Sequence, residues 1–316
     1  MRILVTGGAG FQGSHICEKY AREGHTVFCI DDFSSGDLTN VKHLPEFGNF
    51  KLLRGDIRDR AVLEKTTDLD VIFHMAAQIH VDRSYVEPEL TYDVNVRGTQ
   101  NVLEFARFHD IERVIHASSS EVYGSALYAP MDEDHPLNAP HPYGASKIAA
   151  DRMCYSYVKT YGMDIRVTRF FNIFGPRQKD IGYGGVISIF ARRIMNNLPP
   201  IIFGDGEQTR DYTYIEDAIR GYDAVLMHEG RVEKPINFGS GQEITINYVA
   251  RKLLGLLKKP LLRPIYTKPR KEEIRRLVAD NGQAKKIYDW EPLVNFDDGM
   301  KKFMDWFIRF GAEVVY

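Results

Sequence analysis

Cysteine is scarce in this 316-residue chain, and neither charge sign dominates. Cys17, Cys29 and Cys154 are the only cysteines, widely spaced and without a CxxC pair. That pattern excludes a disulfide scaffold, a cysteine-bound zinc cluster and a dithiol redox motif, so all three are expected as reduced, buried thiols with no metal site. Forty-one basic residues against forty-three acidic ones give a net charge of −2, too small to draw the chain to nucleic acid or an anionic membrane. No apolar run approaches bilayer length. Arg2-Ile3-Leu4-Val5-Thr6 reads as a strand rather than a basic leader, so a cytoplasmic protein with a small-molecule partner is expected. Internal repeats and low-complexity tracts are also missing.

What the chain does contain is alternation. Short apolar runs fall at Ile3 to Thr6, Thr26 to Asp31, Lys51 to Gly55, Val71 to Met75, Val114 to Ser118, Ile165 to Arg169 and Ile236 to Phe238. Helical periodicity separates several of them, at Ser14 to Glu23, Glu89 to His109 and Tyr143 to Tyr161. Strands that are apolar throughout are buried on both faces. The predicted fold is therefore α/β, a Rossmann-like parallel sheet with helices on both faces, plus a smaller mixed α/β substrate lobe. Residues 1–174 form the first domain, with 209–241 rejoining its sheet; 175–208 and 242–316 form the lobe. The basic cluster Lys268 to Arg276, mixed with Glu272 and Glu273, reads as a solvated face.

Between the first strand and first helix lies Gly7-Gly8-Ala9-Gly10-Phe11-Gln12-Gly13. Glycines at 7, 10 and 13 suit a tight turn, close backbone approach to a pyrophosphate, and a helix N-terminus aimed at phosphate. Asp31-Asp32 closes the second strand about 20 residues on, where an acid accepts the ribose hydroxyls and repels a 2′-phosphate. NAD is thus the expected cofactor rather than NADP. Asp56-Ile57 after the third strand, His74-Met75-Ala76-Ala77 at the fourth, and Asn95 fit the same site. Spacing alone equally allows a solvated acid, small packing residues and a surface amide.

Tyr143 and Lys147, four apart after Pro142, leave one face of a helix, where an ammonium is expected to lower the phenol's pKa. The fifth strand runs into Ser118-Ser119-Ser120-Glu121-Val122-Tyr123-Gly124, at the sheet end where substrates lie in open α/β folds.

Together with Tyr143-Gly144-Ala145-Ser146-Lys147 and Arg169-Phe170-Phe171-Asn172, these segments resemble the extended short-chain dehydrogenases/reductases that modify nucleotide sugars. The resemblance implies an NAD-dependent enzyme acting on a nucleotide-diphosphate sugar through a transient 4-ketone, and a homodimer built on the Glu89 to His109 and Tyr143 to Tyr161 helices. It implies that Ser119 binds the C4 oxygen, Tyr143 takes the C4 hydroxyl proton, and Lys147 holds the nicotinamide ribose. Ser120 and Asn172 then contact the sugar or its phosphates. Arg210, in Gly206 to Tyr212, and Arg270 resemble the family's phosphate arginines. Ser119-Ser120-Glu121 is similar to the Thr-Ser-Glu of GDP-mannose dehydratases, and His80 to Ser84 to a segment of dTDP-glucose dehydratases. Glu121 as the base that removes the C5 proton makes a 4,6-dehydratase the leading expectation. Ser120 stands where the dTDP-glucose enzymes carry an aspartic acid, so Glu121 has to act as both base and acid. Gly184 to Ser188 resembles 4-epimerases of the UDP-glucose and UDP-GlcNAc type, the first alternative. A UDP-glucuronate decarboxylase comes next. An NAD-sensing regulator is disfavoured because the Tyr/Lys pair is kept.

Overall fold

The computed structural model describes residues 1–180, 184–270 and 272–311. Seven strands form the central sheet: β1 (Arg2–Thr6), β2 (Thr26–Asp31), β3 (Phe50–Arg54), β4 (Val71–His74), β5 (Arg113–Ala117), β6 (Ile165–Phe170) and β7 (Ile236–Phe238). Their order is β7-β6-β5-β4-β1-β2-β3, and the pairings from β6 through β3 are all parallel. Every strand expected from the sequence is present, with ends moved by at most one residue. The chain order reverses between β1 and β4, which opens a crevice at their carboxyl ends.

Helices cover both faces. On one, Leu4, Ile30, Ile72, Val114 and Val167 pack with Val102 and Leu103 of α1 (Thr99–Phe108) and with Cys154 and Val158 of α2 (Pro142–Tyr161). On the other, Phe73 stacks on Tyr20 at 5.4 Å between ring centroids and meets Tyr222 edge-on at 6.4 Å. Each such buried side chain contributes about 1.5–3 kcal/mol. Pro142 starts α2 at a position that needs no N–H, and Gly162, at φ 70°, ends it in the left-handed region. All three cysteines are buried and free, as expected.

The helix expected over 89–109 runs from Pro88 to Phe108 but is not uniformly α. Pro88–Tyr92 and α1 are joined by a wide π turn, Asp93–Gly98. The turn carries Asn95, whose carbonyl accepts the Thr99 hydroxyl at 2.7 Å and whose amide is bonded outside the helix. Such turns recur where a helical side chain is re-aimed for function.

The chain divides into two compact units. The first comprises Met1–Val122, Ala139–Arg169 and Ile219–Ile236; the second comprises Tyr123–Asn138, Phe170–Ala218 and Asn237 onward. The second is built from two-stranded pairs, Ile173–Phe174 with Thr213–Tyr214, Thr209–Arg210 with Ile244–Thr245, and Ile201–Phe203 with Ile265–Thr267. Phe174, Tyr212, Tyr214 and Phe296 form its aromatic centre. Beyond residue 175 the sequence suggests a mixed α/β lobe but, apart from the Ile236 to Phe238 strand, places no element in it; five helices lie there among the described residues. Helices of 7 to 15 residues between two- and three-residue strands leave no long window with a single period. Arg275 and Arg276 pair with Asp205 and Glu243 at the surface, the solvated face expected of that cluster.

Candidate active site

The turn after β1 is built so that only glycine fits. Gly7 has φ 68°, and a β-carbon there would lie 2.7 Å from the Ala76 nitrogen. At Gly13 a β-carbon would lie 2.3 Å from the Gly7 carbonyl oxygen. The two loops at the crevice, after β1 and after β4, are thereby held in backbone contact. Gly7, Gly10, Phe11, Gln12 and Gly13 line one cavity with Asp31, Asp32, Asp56, Ile57, Ala76, Ala77, Tyr143 and Lys147. Thirteen residues expected to hold a dinucleotide or its reacting end thus share one cavity, Ile57 among them, whose side chain also packs beneath Gly98.

Asp31 is buried, and its carboxylate accepts the Ala9 N–H at 2.9 Å and the Phe33 N–H at 2.8 Å. Burial raises its pKa, and these backbone donors work against the rise. The acid therefore ties the glycine turn to the end of β2. Asp32 accepts from the Ser34 N–H and hydroxyl. Asp56 is paired with Arg58 at 2.6 Å, and Arg58 reaches on to Asp93 at 2.8 Å. Burial works to raise the Asp56 pKa, but the Arg58 hydrogen bonds and charge outweigh it and leave it low. Gln12 accepts from the Tyr222 hydroxyl at 2.7 Å. Asn95 is fully engaged: it accepts the Gln78 N–H at 2.7 Å and donates to the Gln78 carbonyl at 3.0 Å and to Ser146 at 2.9 Å. It braces the loop that follows Ala76-Ala77 against α2.

Tyr143 and Lys147 stand on the first turns of α2, both buried, beside the end of β5. Ser119 lies beside the Tyr143 hydroxyl. Burial pushes the phenol's pKa up to about 12; the Ser119 hydroxyl opposes the rise, while the Glu121 and Asp151 carboxylates add to it. This corrects the expectation that Lys147 holds the phenol low. The Lys147 ammonium instead donates to the Ala117 carbonyl at 2.8 Å, and burial lowers its own pKa to about 8, with Asp151 opposing. Asp151 is itself bonded to Arg169 at 2.8 Å, so a buried ion pair lies one helical turn behind the lysine. Ser120 is buried next to Ser119.

Glu121 is partly exposed, and His141 approaches its Oε2 at 3.0 Å. His141, which the sequence reading overlooks, is the N-cap of α2, its Nδ1 accepting the Gly144 N–H at 3.0 Å. A histidine just before Pro142, where serine, threonine, asparagine or aspartate usually caps, is the signal that could have exposed it.

The remaining expected residues belong to the second unit. Asn172 has a buried amide nitrogen with no hydrogen-bond partner, as does the Tyr212 hydroxyl. Arg210 donates to the Thr209 and Ile274 carbonyls at 2.8 and 2.7 Å and pairs with Glu273 at 3.1 Å. Arg270 lies 4.6 Å over the Phe203 ring.

Comparison with known proteins bears on this arrangement directly. The family model described as GDP-mannose 4,6 dehydratase matches residues 4–303. The chain belongs to this family. It is an enzyme of the NAD-dependent extended short-chain dehydrogenases/reductases that the sequence resembles. A putative UDP-glucose 4-epimerase from Methanocaldococcus jannaschii is 38% identical over 310 residues, covering 96% of this chain and 97% of that protein. The crystal structure of the Thermotoga maritima UDP-glucose 4-epimerase with UDP-glucose is similar at TM-score 0.92 and 31% identity, covering 98% and 99% of the two chains. A dTDP-glucose 4,6-dehydratase from Streptomyces venezuelae, solved with NAD bound, is similar at TM-score 0.93 and 32% identity, covering 99% and 98%.

Proposed function

We propose that this family member is an NAD-dependent 4,6-dehydratase of a nucleotide-diphosphate sugar. The observation that carries the reading is Glu121, a partly exposed carboxylate held by His141 two residues from Ser119, whose hydroxyl accepts the Glu121 N–H and which lies beside Tyr143. Oxidation and reduction at C4 require no such group; removal of the C5 proton does.

The cavity fits NAD. The glycine turn that lines it has no room for a β-carbon at Gly7 or Gly13, and Asp31 and Asp32 stand where a ribose is read and a 2′-phosphate repelled. Gly7, Gly10, Phe11, Gln12 and Gly13 would hold the pyrophosphate, Asp56 and Ile57 the adenine, and Ala76 and Ala77 the approach to the nicotinamide, with Asn95 bracing that loop. Bound NAD supplies a hydride acceptor for C4 and later returns the hydride. Ser119 orients the C4 hydroxyl and Tyr143 takes its proton. Lys147 binds the nicotinamide ribose. A tyrosine near 12 in the free protein starts as the phenol, so its base form has to be produced once cofactor and substrate are bound. Glu121 then takes the C5 proton, made acidic by the ketone, and gives it to the departing C6 hydroxyl. Ser120 would contact the sugar. On the second unit, the orphaned Asn172 amide suits a sugar or phosphate oxygen, and Arg210 and Arg270 suit a diphosphate. The exposed Phe108 and Tyr161, at the ends of α1 and α2, support a homodimer.

A 4-epimerase is the second reading, favoured by the two epimerase relatives. Glu121→Gln separates the two. A dehydratase loses roughly 10²–10⁴-fold in elimination, while C4 oxidation survives and reduced cofactor builds up in the absorbance. An epimerase stays within a few-fold of wild type, one neighbouring hydrogen bond being worth about 1 kcal/mol. Run in deuterium oxide, the dehydratase labels C5 and loses water; unlabelled product with unchanged mass from the wild type overturns the proposal.

A further inference from the structure

His141 belongs to no catalytic motif, yet its two ring nitrogens are both committed, and their chemistry fixes a proton. Nδ1 lies 3.0 Å from the Gly144 backbone nitrogen, which can only donate, so Nδ1 is the unprotonated acceptor. The proton of the neutral ring is therefore on Nε2, and Nε2–H donates to Glu121 Oε2 at 3.0 Å. The ring is buried, face to face with Tyr143 at 6.1 Å and edge-on to Tyr85 at 6.3 Å. Nor can the pair drift apart. A β-carbon at Gly144 would lie 2.7 Å from the Glu121 carbonyl oxygen, so the turn bearing Glu121 is pressed onto the first turn of α2. Charging the imidazole would place a proton on Nδ1 and break the helix cap. No hydrogen bond among the described residues reaches Glu121 Oε1.

We propose that His141 is the positioning residue of the C5 base: by donating to Oε2 it confines proton transfer to Glu121 Oε1 and fixes that oxygen relative to Tyr143. The inference rests on the dehydratase reading. Oε1 takes the C5 proton, and the C5–H electron pair passes into the C4 ketone as an enolate. The same pair then forms the C5=C6 bond as the C6–O bond breaks, and Oε1 returns its proton to the leaving hydroxyl as water. One oxygen serves as base and then as acid, which is what a site without a second acid at Ser120 needs. His141 gives up no proton in either direction.

The test pairs His141→Asn with Glu121→Gln, using dTDP-glucose, GDP-mannose and UDP-glucose as probes. Asparagine caps a helix as well as histidine does but is too short to bond both Gly144 and Glu121. His141→Ser is the second capping variant. With the probe that the wild type dehydrates, both His141 variants should keep KM and C4 oxidation, accumulate reduced cofactor, and eliminate water roughly ten- to a hundred-fold more slowly. Nitrogen-15 spectra of histidine-labelled wild type, with His141 assigned by its loss in the variants, should show a protonated Nε2 and a bare Nδ1. A wild-type partition between oxidation and elimination in capped, folded variants overturns the inference, as does an Nδ1–H tautomer. Failure of the dehydratase reading looks different: no probe loses water, or Glu121→Gln turns over normally.

Discussion

At the scale of single residues, the site is a place where the protein gives up stability. Lys147 is buried against a carbonyl with its pKa lowered from 10.5 to about 8, so the folded state releases a proton the unfolded chain keeps between those values. The unfolded state binds more protons there, and stability rises as pH climbs from 8 to 10.5. Two and a half pKa units correspond to about 3 kcal/mol withheld at neutral pH. Lys147→Met should therefore be more stable than the wild type at pH 7, with the gap closing by pH 10, while turnover is lost. Thermal melts of both proteins across that range check it; a gap independent of pH means that the lysine is not desolvated as the structure has it. Tyr143 behaves oppositely. Its folded pKa lies above the unfolded value of 10, so its contribution is full below pH 10 and fades toward pH 12. Both residues were legible in the sequence because their four-residue spacing puts them on one helix face and the segments around them resemble a known family; spacing alone would not have singled them out. His141 was not, since its role depends on which backbone N–H and which carboxylate meet its ring.

At the scale of elements, what the sequence could reveal was whatever repeats. The strands buried on both faces announce themselves as unbroken apolar runs, and all seven lie in one sheet. The helix over 89–109 shows where such reading ends. Its apolar pattern runs on across Asp93–Gly98, but the backbone widens there, because Asn95 bonds Gln78 and Ser146 instead of facing solvent. No period encodes a bond to a loop seventeen residues earlier and a helix fifty-one later. Asn95→Ala removes three hydrogen bonds and strands the Gln78 N–H in a buried position. It should cost about 2–4 kcal/mol, and weaken NAD binding about ten-fold by loosening the loop after β4. Asn95→Asp keeps the acceptor for Gln78 but loses both donated bonds, so it should fall between the two. Calorimetric titration with NAD and denaturant melts measure both effects, and unimpaired binding in Asn95→Ala would remove the loop from cofactor recognition.

For the molecule as a whole, the two compact units alternate along the chain in six segments, with five passages between them. Neither is a continuous stretch, and the sequence gives no punctuation at most of these passages; the Tyr123–Asn138 segment leaves the first unit directly after the Ser-Ser-Ser-Glu turn. That is why a boundary is harder to read here than a strand. Interleaving also has a thermodynamic consequence. Unfolding one unit frees the ends of every segment the other must hold, so each loses the short closed connections that make its own folding affordable. Calorimetry should accordingly show a single cooperative transition in place of two. NAD, for which we propose the cavity lined by residues of the first unit, should move that transition as a whole. At a hundred-fold excess over its dissociation constant the cofactor adds about 2.7 kcal/mol, a rise of several degrees for a chain of this length. The Arg210→Ala variant gives the complementary reading from the second unit, since UDP, TDP or GDP should raise the same transition in the wild type and do so less in the variant. Two resolved transitions, only one of them shifted by NAD, would show that the units unfold independently and that cofactor binding stabilises only half of the protein.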